Sequence, residues 1–75
     1  VPSDSQWIID RRRELGDRIR SVRRHAGFTQ EGLAEITGID RRTLQRIERG
    51  DSDPRYGHLL RIAAALDIRV SLLFD

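Results

Sequence analysis

Twenty residues, Gln30 to Arg49 (QEGLAEITGIDRRTLQRIER), constrain the fold of this chain more than any other part of it. Ala34 is small, Gly38 stands four residues later, and Asp40 follows as a potential helix cap. That order suits two short helices that cross closely, with a small side chain at the crossing and then a turn residue that accepts positive φ. Leu33, Ile39, Leu44 and Ile47 are spaced to form the core that the pair shares. Each feature alone is common in helical proteins. Together, at fixed spacing, they specify two helices joined by a tight turn.

The flanking sequence also reads as helix. Ile8, Leu15, Ile19, Val22 and Ala26 fall on one helical face that Gly27 closes. Ser3 with Gln6 has the form of a capping box, which predicts a start near Asp4. Gly16 interrupts this pattern and predicts fraying of the first two turns. Thr29 is positioned to cap a second helix running to Glu35 or Ile36, with Leu33 and Ile36 turned inward. Asp40 caps a third helix, which Gly50 ends. DSDP reads as a loop, with Asp53 as N-cap and Pro54 as first residue of a fourth helix whose inward stripe is Leu59, Ile62, Ala63 and Leu66. A last short helix from about Val70 to Phe74 supplies Leu72, Leu73 and Phe74. No strand pattern or internal repeat is visible. The expected architecture is all-α: a compact five-helix single domain over residues 1–75, with 1–14 as a helical N-terminal extension.

Composition removes several function classes. With 75 residues and no cysteine, there is room for one modest core and no thiolate chemistry. His25 and His58 lack metal-ligand spacing and read as surface histidines, so neither metal nor cofactor is expected. No nucleophile–base pair, paired catalytic carboxylates or phosphate-binding glycine loop is present, so an enzyme is not expected. No apolar run reaches the roughly 20 residues of a membrane span, and no secretory leader is visible. A cytoplasmic setting follows as the expectation. The first residue, Val1, suggests a piece of something longer. All 14 basic residues are arginine, and they cluster in 11–24 and 41–49. Arginine's planar fork suits phosphate oxygens and the guanine edge, although base composition of a genome can also favour its codons.

On these residues the chain resembles a Cro/repressor-type (XRE-type) helix-turn-helix domain over about Leu15 to Leu73. The landmarks are TQ opening the second helix, LA three residues later, IERG ending the third, Pro54 four residues after Gly50, and LLRIAAALDI. The resemblance implies a lambda-repressor-like fold and a transcriptional regulator. It would bind a double-stranded, palindromic operator, as a homodimer at least on DNA, reading the major groove with helix 40–49. Arg41 and Arg42 fall at the start of that helix, where family members touch base edges. Arg46 lies one turn on, and Gln45 is a further candidate for base contact. Thr29, Gln30, Thr43, Arg49 and Arg55 are candidates for phosphate contact. Arginine at base-reading positions favours guanine O6 and N7. Arg23, which family members keep, is expected to pair with Glu48 in a partly wet structural bridge. Leu72 and Phe74 are expected at a dimer interface.

Two departures stand out. Gly32 replaces the glutamate of many relatives, and Asp51 and Asp53 put negative charge where many carry basic loops. Asp53 has a capping role in this reading; Asp51 has none. Arg11, Arg12 and Arg13 read as a solvated face. Trp7 and Ile9 lie outside the family pattern, either packing on the domain or marking contact with further sequence. The competing reading is an antitoxin-like module that binds a protein partner and regulates its own synthesis through DNA.

Overall fold

The computed structural model describes residues 5–75. The capping box at Ser3 lies outside these residues. The described residues form four α-helices and a 3-10 helix: α1 (Gln6–His25), α2 (Gln30–Thr37), α3 (Arg41–Arg49), α4 (Tyr56–Ala65) and η1 (Val70–Phe74). Among the described residues there is no strand, and no helix is long and apolar enough to cross a membrane.

The α2–turn–α3 unit forms for the reasons its sequence suggests. The Thr29 hydroxyl accepts from the Gly32 amide at 2.9 Å and caps α2. Gly38 ends α2 at φ 73°, a left-handed conformation that glycine adopts without a Cβ penalty. The Asp40 carboxylate then accepts from the amides of Arg42 and Thr43, opening α3. Leu33, Leu44, Ile47, Ile19, Ile62 and Leu73 are fully buried, so the core draws on all five elements. Each such side chain contributes ~1.5–3 kcal/mol relative to exposure. In this arrangement α1 lies against α3, α4 against α2, and η1 against both α1 and α4.

Several expectations are corrected. The first helix starts at Gln6, with Ser5 in the N-cap position making no side-chain cap bond. It runs unbroken through Gly16, and residues 6–14 are simply its first half. Gly16 is a contact residue: a Cβ there would lie 2.5 Å from the carbonyl oxygens of Ile47 and Glu48. The missing side chain lets α1 reach the backbone of α3. Ile36 points outward, 60% exposed, because the inward line of α2 continues from Leu33 to Thr37, a full turn on. Thr37 satisfies its buried hydroxyl by donating to the Leu33 carbonyl at 2.7 Å. Ala26 is exposed as well.

Asp53 caps nothing. Helix α4 begins at Tyr56, with Arg55 in the N-cap position and no side-chain bond. Asp53 instead accepts from Arg12 at 2.7 Å, so Arg12, with a side chain only 18% exposed, does not belong to a freely solvated face. The last element is 3-10 rather than α, with the Leu72 amide donating to the Arg69 carbonyl at 3.0 Å. Just beyond the end of α4, Asp67 takes φ 57°. Aspartate tolerates this region better than most non-glycine residues.

Candidate nucleic-acid interface

Leu44, Ile47 and Glu48 line the buried side of α3. At about 3.6 residues per turn, Arg42, Arg46 and Arg49 emerge on the opposite side. Arg41 and Gln45 fall on the flank beside α2, and Thr43 on the other flank. The four arginines are exposed, whereas Gln45 and Thr43 are half-buried. The helix therefore offers a cationic outer ridge with a polar shoulder on each side.

Behind the ridge, α3 is held by a buried charge. Arg23 Nε donates to Glu48 Oε2 at 2.7 Å and its second terminal nitrogen to Oε1 at 3.0 Å. The remaining nitrogen donates to the Phe28 carbonyl at 2.8 Å. The side chains are 7% and 0% exposed, so the partly wet bridge expected from the sequence is in fact dry. Desolvation of a charge is tolerated only when its hydrogen-bonding capacity is filled, and no buried side-chain polar atom among the described residues lacks a partner. Arg20 adds a bond to the Glu48 backbone carbonyl at 3.1 Å, a contact that no sequence pattern announced. The result ties α1 to the C-terminal end of α3.

The polar shoulder toward α2 continues this network. Gln30 Nε2 donates to Glu48 Oε1 at 3.0 Å, and Gln45 Nε2 donates to Gln30 Oε1 at 3.4 Å. Gln30, a phosphate candidate from its sequence position, is thus engaged at both ends of its amide. Thr29 uses its oxygen to cap α2 and keeps its hydroxyl hydrogen. Arg41 lies 3.9 Å from Glu31, a pair exposed on both sides.

On the other shoulder, Thr43, Arg46, Ser52, Arg55 and His58 line a shallow recess of about 230 Å³. Sequence spacing gave no reason to join Ser52 and His58 to this group, since they come from the loop and α4. Arg49 lies 3.4 Å from Asp51, which gives that acid a partner and shares out part of the arginine's charge. Leu72 and Phe74 are 41% and 59% exposed on η1, away from the α3 ridge in sequence and fold. Among the described residues, no three His, Cys, Asp or Glu side chains gather as a metal site.

Comparison with known proteins adds to this geometry. A family model described as Helix-turn-helix (HTH_3) matches residues 19–73. The HTH-type transcriptional regulator SinR of Bacillus subtilis is 34% identical over 62 residues, covering 81% of this chain and 56% of SinR. Antitoxin HigA1 of Mycobacterium tuberculosis is 33% identical over 63 residues, covering 84% of this chain and 42% of HigA1. The chain thus spans about half the length of these two curated relatives. Among solved structures, the restriction-modification controller protein C.AhdI from Aeromonas hydrophila superposes with a TM-score of 0.82 at 36% identity. That match covers 84% of this chain and 96% of the controller.

Proposed function

Because the chain belongs to the HTH_3 helix-turn-helix family, we propose that it is the sequence-specific DNA-binding module of a transcriptional regulator, with α3 lying in the major groove. The observation that carries this reading is the ridge itself. Arg42 and Arg46 stand free on the outer side of a helix whose inner side is fixed by a buried, bidentate ion pair. A rigid helix with forked donors at its outer face suits readout of base edges.

In this reading Arg41, Arg42, Arg46 and Gln45 meet bases. Thr29, Thr43, Arg49 and Arg55 meet phosphates, with Gln30 contributing a remaining amide hydrogen. Two copies bind a palindromic operator with half-sites roughly 34 Å apart, one helical turn. Leu72 and Phe74 contribute to the contact between copies. The protein acts by binding rather than by catalysis, on DNA in the cytoplasm. The whole of residues 1–75 works as one domain.

Selection of bound sites from a random DNA pool tests the reading. The expected product is a two-fold-symmetric site with G·C pairs in each half. Recovery of no preferred site would overturn it. Equal affinity for a single half-site and the full site would overturn the paired arrangement, and unchanged full-site affinity in Leu72→Ser with Phe74→Ser would overturn the place of these two residues in it.

A second reading, an antitoxin-type module that also binds a protein, draws on the similarity to HigA1 and on two surface features. Trp7 is 63% exposed on α1, and a groove of about 640 Å³ runs between α1 and η1, lined by Ile8, Leu15, Leu73 and Phe74. A toxin-like reading frame beside the gene, whose product binds this chain, would favour it.

A further inference from the structure

The amide relay on the α2 shoulder has a direction. We infer that Gln30 holds the Gln45 amide in one orientation, so that Gln45 presents its oxygen to the DNA and selects a base whose exocyclic amine lies in the major groove. This rests on α3 being the reading helix.

The direction follows from what each group is able to do. A carboxylate clamped by a guanidinium is an acceptor, and Glu48 receives two bonds from Arg23, at 2.7 and 3.0 Å. Gln30, 3.0 Å from Glu48 Oε1, must therefore turn its nitrogen toward it. That turns Gln30 Oε1 toward Gln45. Gln45 must then turn its own nitrogen inward, 3.4 Å from that oxygen. An amide flip at Gln45 would set two carbonyl oxygens against each other; a flip at Gln30 would set a carbonyl against the Glu48 carboxylate. The buried ion pair thereby dictates, through two amides, which end of Gln45 faces outward.

The outward oxygen is an acceptor. In the major groove adenine N6 and cytosine N4 are donors, whereas guanine O6 and N7 and thymine O4 are acceptors. A free glutamine would turn its amide to suit either kind of edge. A held one discriminates: it favours adenine or cytosine at the base it faces and disfavours guanine or thymine there. It is also poorly suited to a phosphate oxygen. Gln30 is then a positioning residue for specificity, acting through Gln45, in addition to its place at the start of α2.

Site selection with three proteins tests this: the wild type, Gln45→Ala and Gln30→Met. Gln45→Ala identifies the base pair that Gln45 reads, as the column whose preference it flattens. Because every base pair carries an adenine or a cytosine on one of its strands, the group that is read is found by replacing that adenine with purine, or that cytosine with pyrimidin-2-one, each of which lacks the major-groove amine. The replacement is expected to cost the wild type about tenfold or more, the scale of a single good base contact, and to cost Gln45→Ala nothing. In Gln30→Met the cost of removing that amine is expected to fall to about threefold or less, with the other columns unchanged. Full wild-type affinity for the site lacking that amine, or a Gln45→Ala profile identical to wild type, overturns the inference while leaving DNA reading by α3 intact. Flattening of every column to the same degree in Gln30→Met, as distinct from a uniform loss of affinity with the preferences kept, makes Gln30 merely structural and overturns its positioning role. If Gln30→Met does not fold, as far-UV circular dichroism would report, the responses of the wild type and Gln45→Ala to loss of the amine decide the orientation by themselves. A wild type that selects no site removes the reading beneath it.

Discussion

Replacing Arg23 by methionine and Glu48 by glutamine, singly and together, tests how α3 is held. Glu48→Gln preserves shape but leaves Arg23, 7% exposed, facing a neutral amide, with Arg20 only 3.8 Å from the same site. Arg23→Met leaves the Glu48 carboxylate with Gln30 at 3.0 Å and Arg20 nearby, and removes the donor from the Phe28 carbonyl. Loss of one member of a fully buried pair costs ~3–5 kcal/mol. The surviving partners of Glu48 put Arg23→Met at the lower end, about 3 kcal/mol, and the stranded guanidinium puts Glu48→Gln at about 4 kcal/mol. The double variant removes the stranded charge, so its loss should be about 4–5 kcal/mol rather than the sum. The coupling is then about 2–3 kcal/mol, within the range for residues in contact. A domain of 75 residues has roughly 4–11 kcal/mol of total stability, so the single variants sit near the edge of folding. Urea unfolding followed by far-UV circular dichroism, in sucrose to raise all four baselines equally, gives the cycle. Additivity within about 0.5 kcal/mol would refute the argument, since it would mean that the two side chains do not depend on one another.

Gly16→Ala should lower the thermal midpoint even though alanine is the better helix former by about 1 kcal/mol. The new methyl group meets two carbonyl oxygens of α3, and overpacking of this kind costs ~1–3 kcal/mol. An unchanged or raised midpoint would show that α1 and α3 separate freely. Arg42→Ala should lose ~1–3 kcal/mol of binding at one base pair only, measured by competition among single-base variants of the selected site. Equal loss on all sequences would make Arg42 a phosphate contact. Arg55→Gln should reduce the slope of log affinity against log salt by about 1. Arg49→Gln should reduce it by less, because Asp51 already shares that arginine's charge. Equal slopes for the two variants would contradict the influence of Asp51.

Most of the helical framework was legible because it rests on local signals. Thr29, Asp40, Gly38 and Gly50 are caps whose geometry involves neighbours within a turn, and Leu59, Ile62, Ala63 and Leu66 repeat with the helix period. Errors arose where a long-range contact outweighed a local preference. Asp53 beside Pro54 has the form of a helix start, yet its carboxylate is taken by Arg12, 41 residues away. Gly16 reads locally as a weak point and is spatially a contact. Ile36 fits an i, i+3 pattern, but the short α2 buries the i+4 position instead. For the interface, Arg41, Arg42 and Arg46 came from the resemblance to the family, and the helix sets Arg41 on the flank beside α2 rather than on the ridge with Arg42, Arg46 and Arg49. The Gln30–Gln45 link was not legible, since it depends on the separation of two helices across a turn.

The approach of α1 to α3 has a consequence for how such a protein could change over generations. At Gly16 the partner atoms on α3 are main-chain carbonyls, and at Gly50 a Cβ would lie 2.9 Å from the Cα of Arg13. Main chain cannot be trimmed or enlarged by mutation as a side chain can. The backbone contact between α1 and α3 therefore has few settings, while the outward residues 42, 46 and 49 take no part in it. New target sequences are accessible by substitutions on one surface of a helix whose seat stays the same.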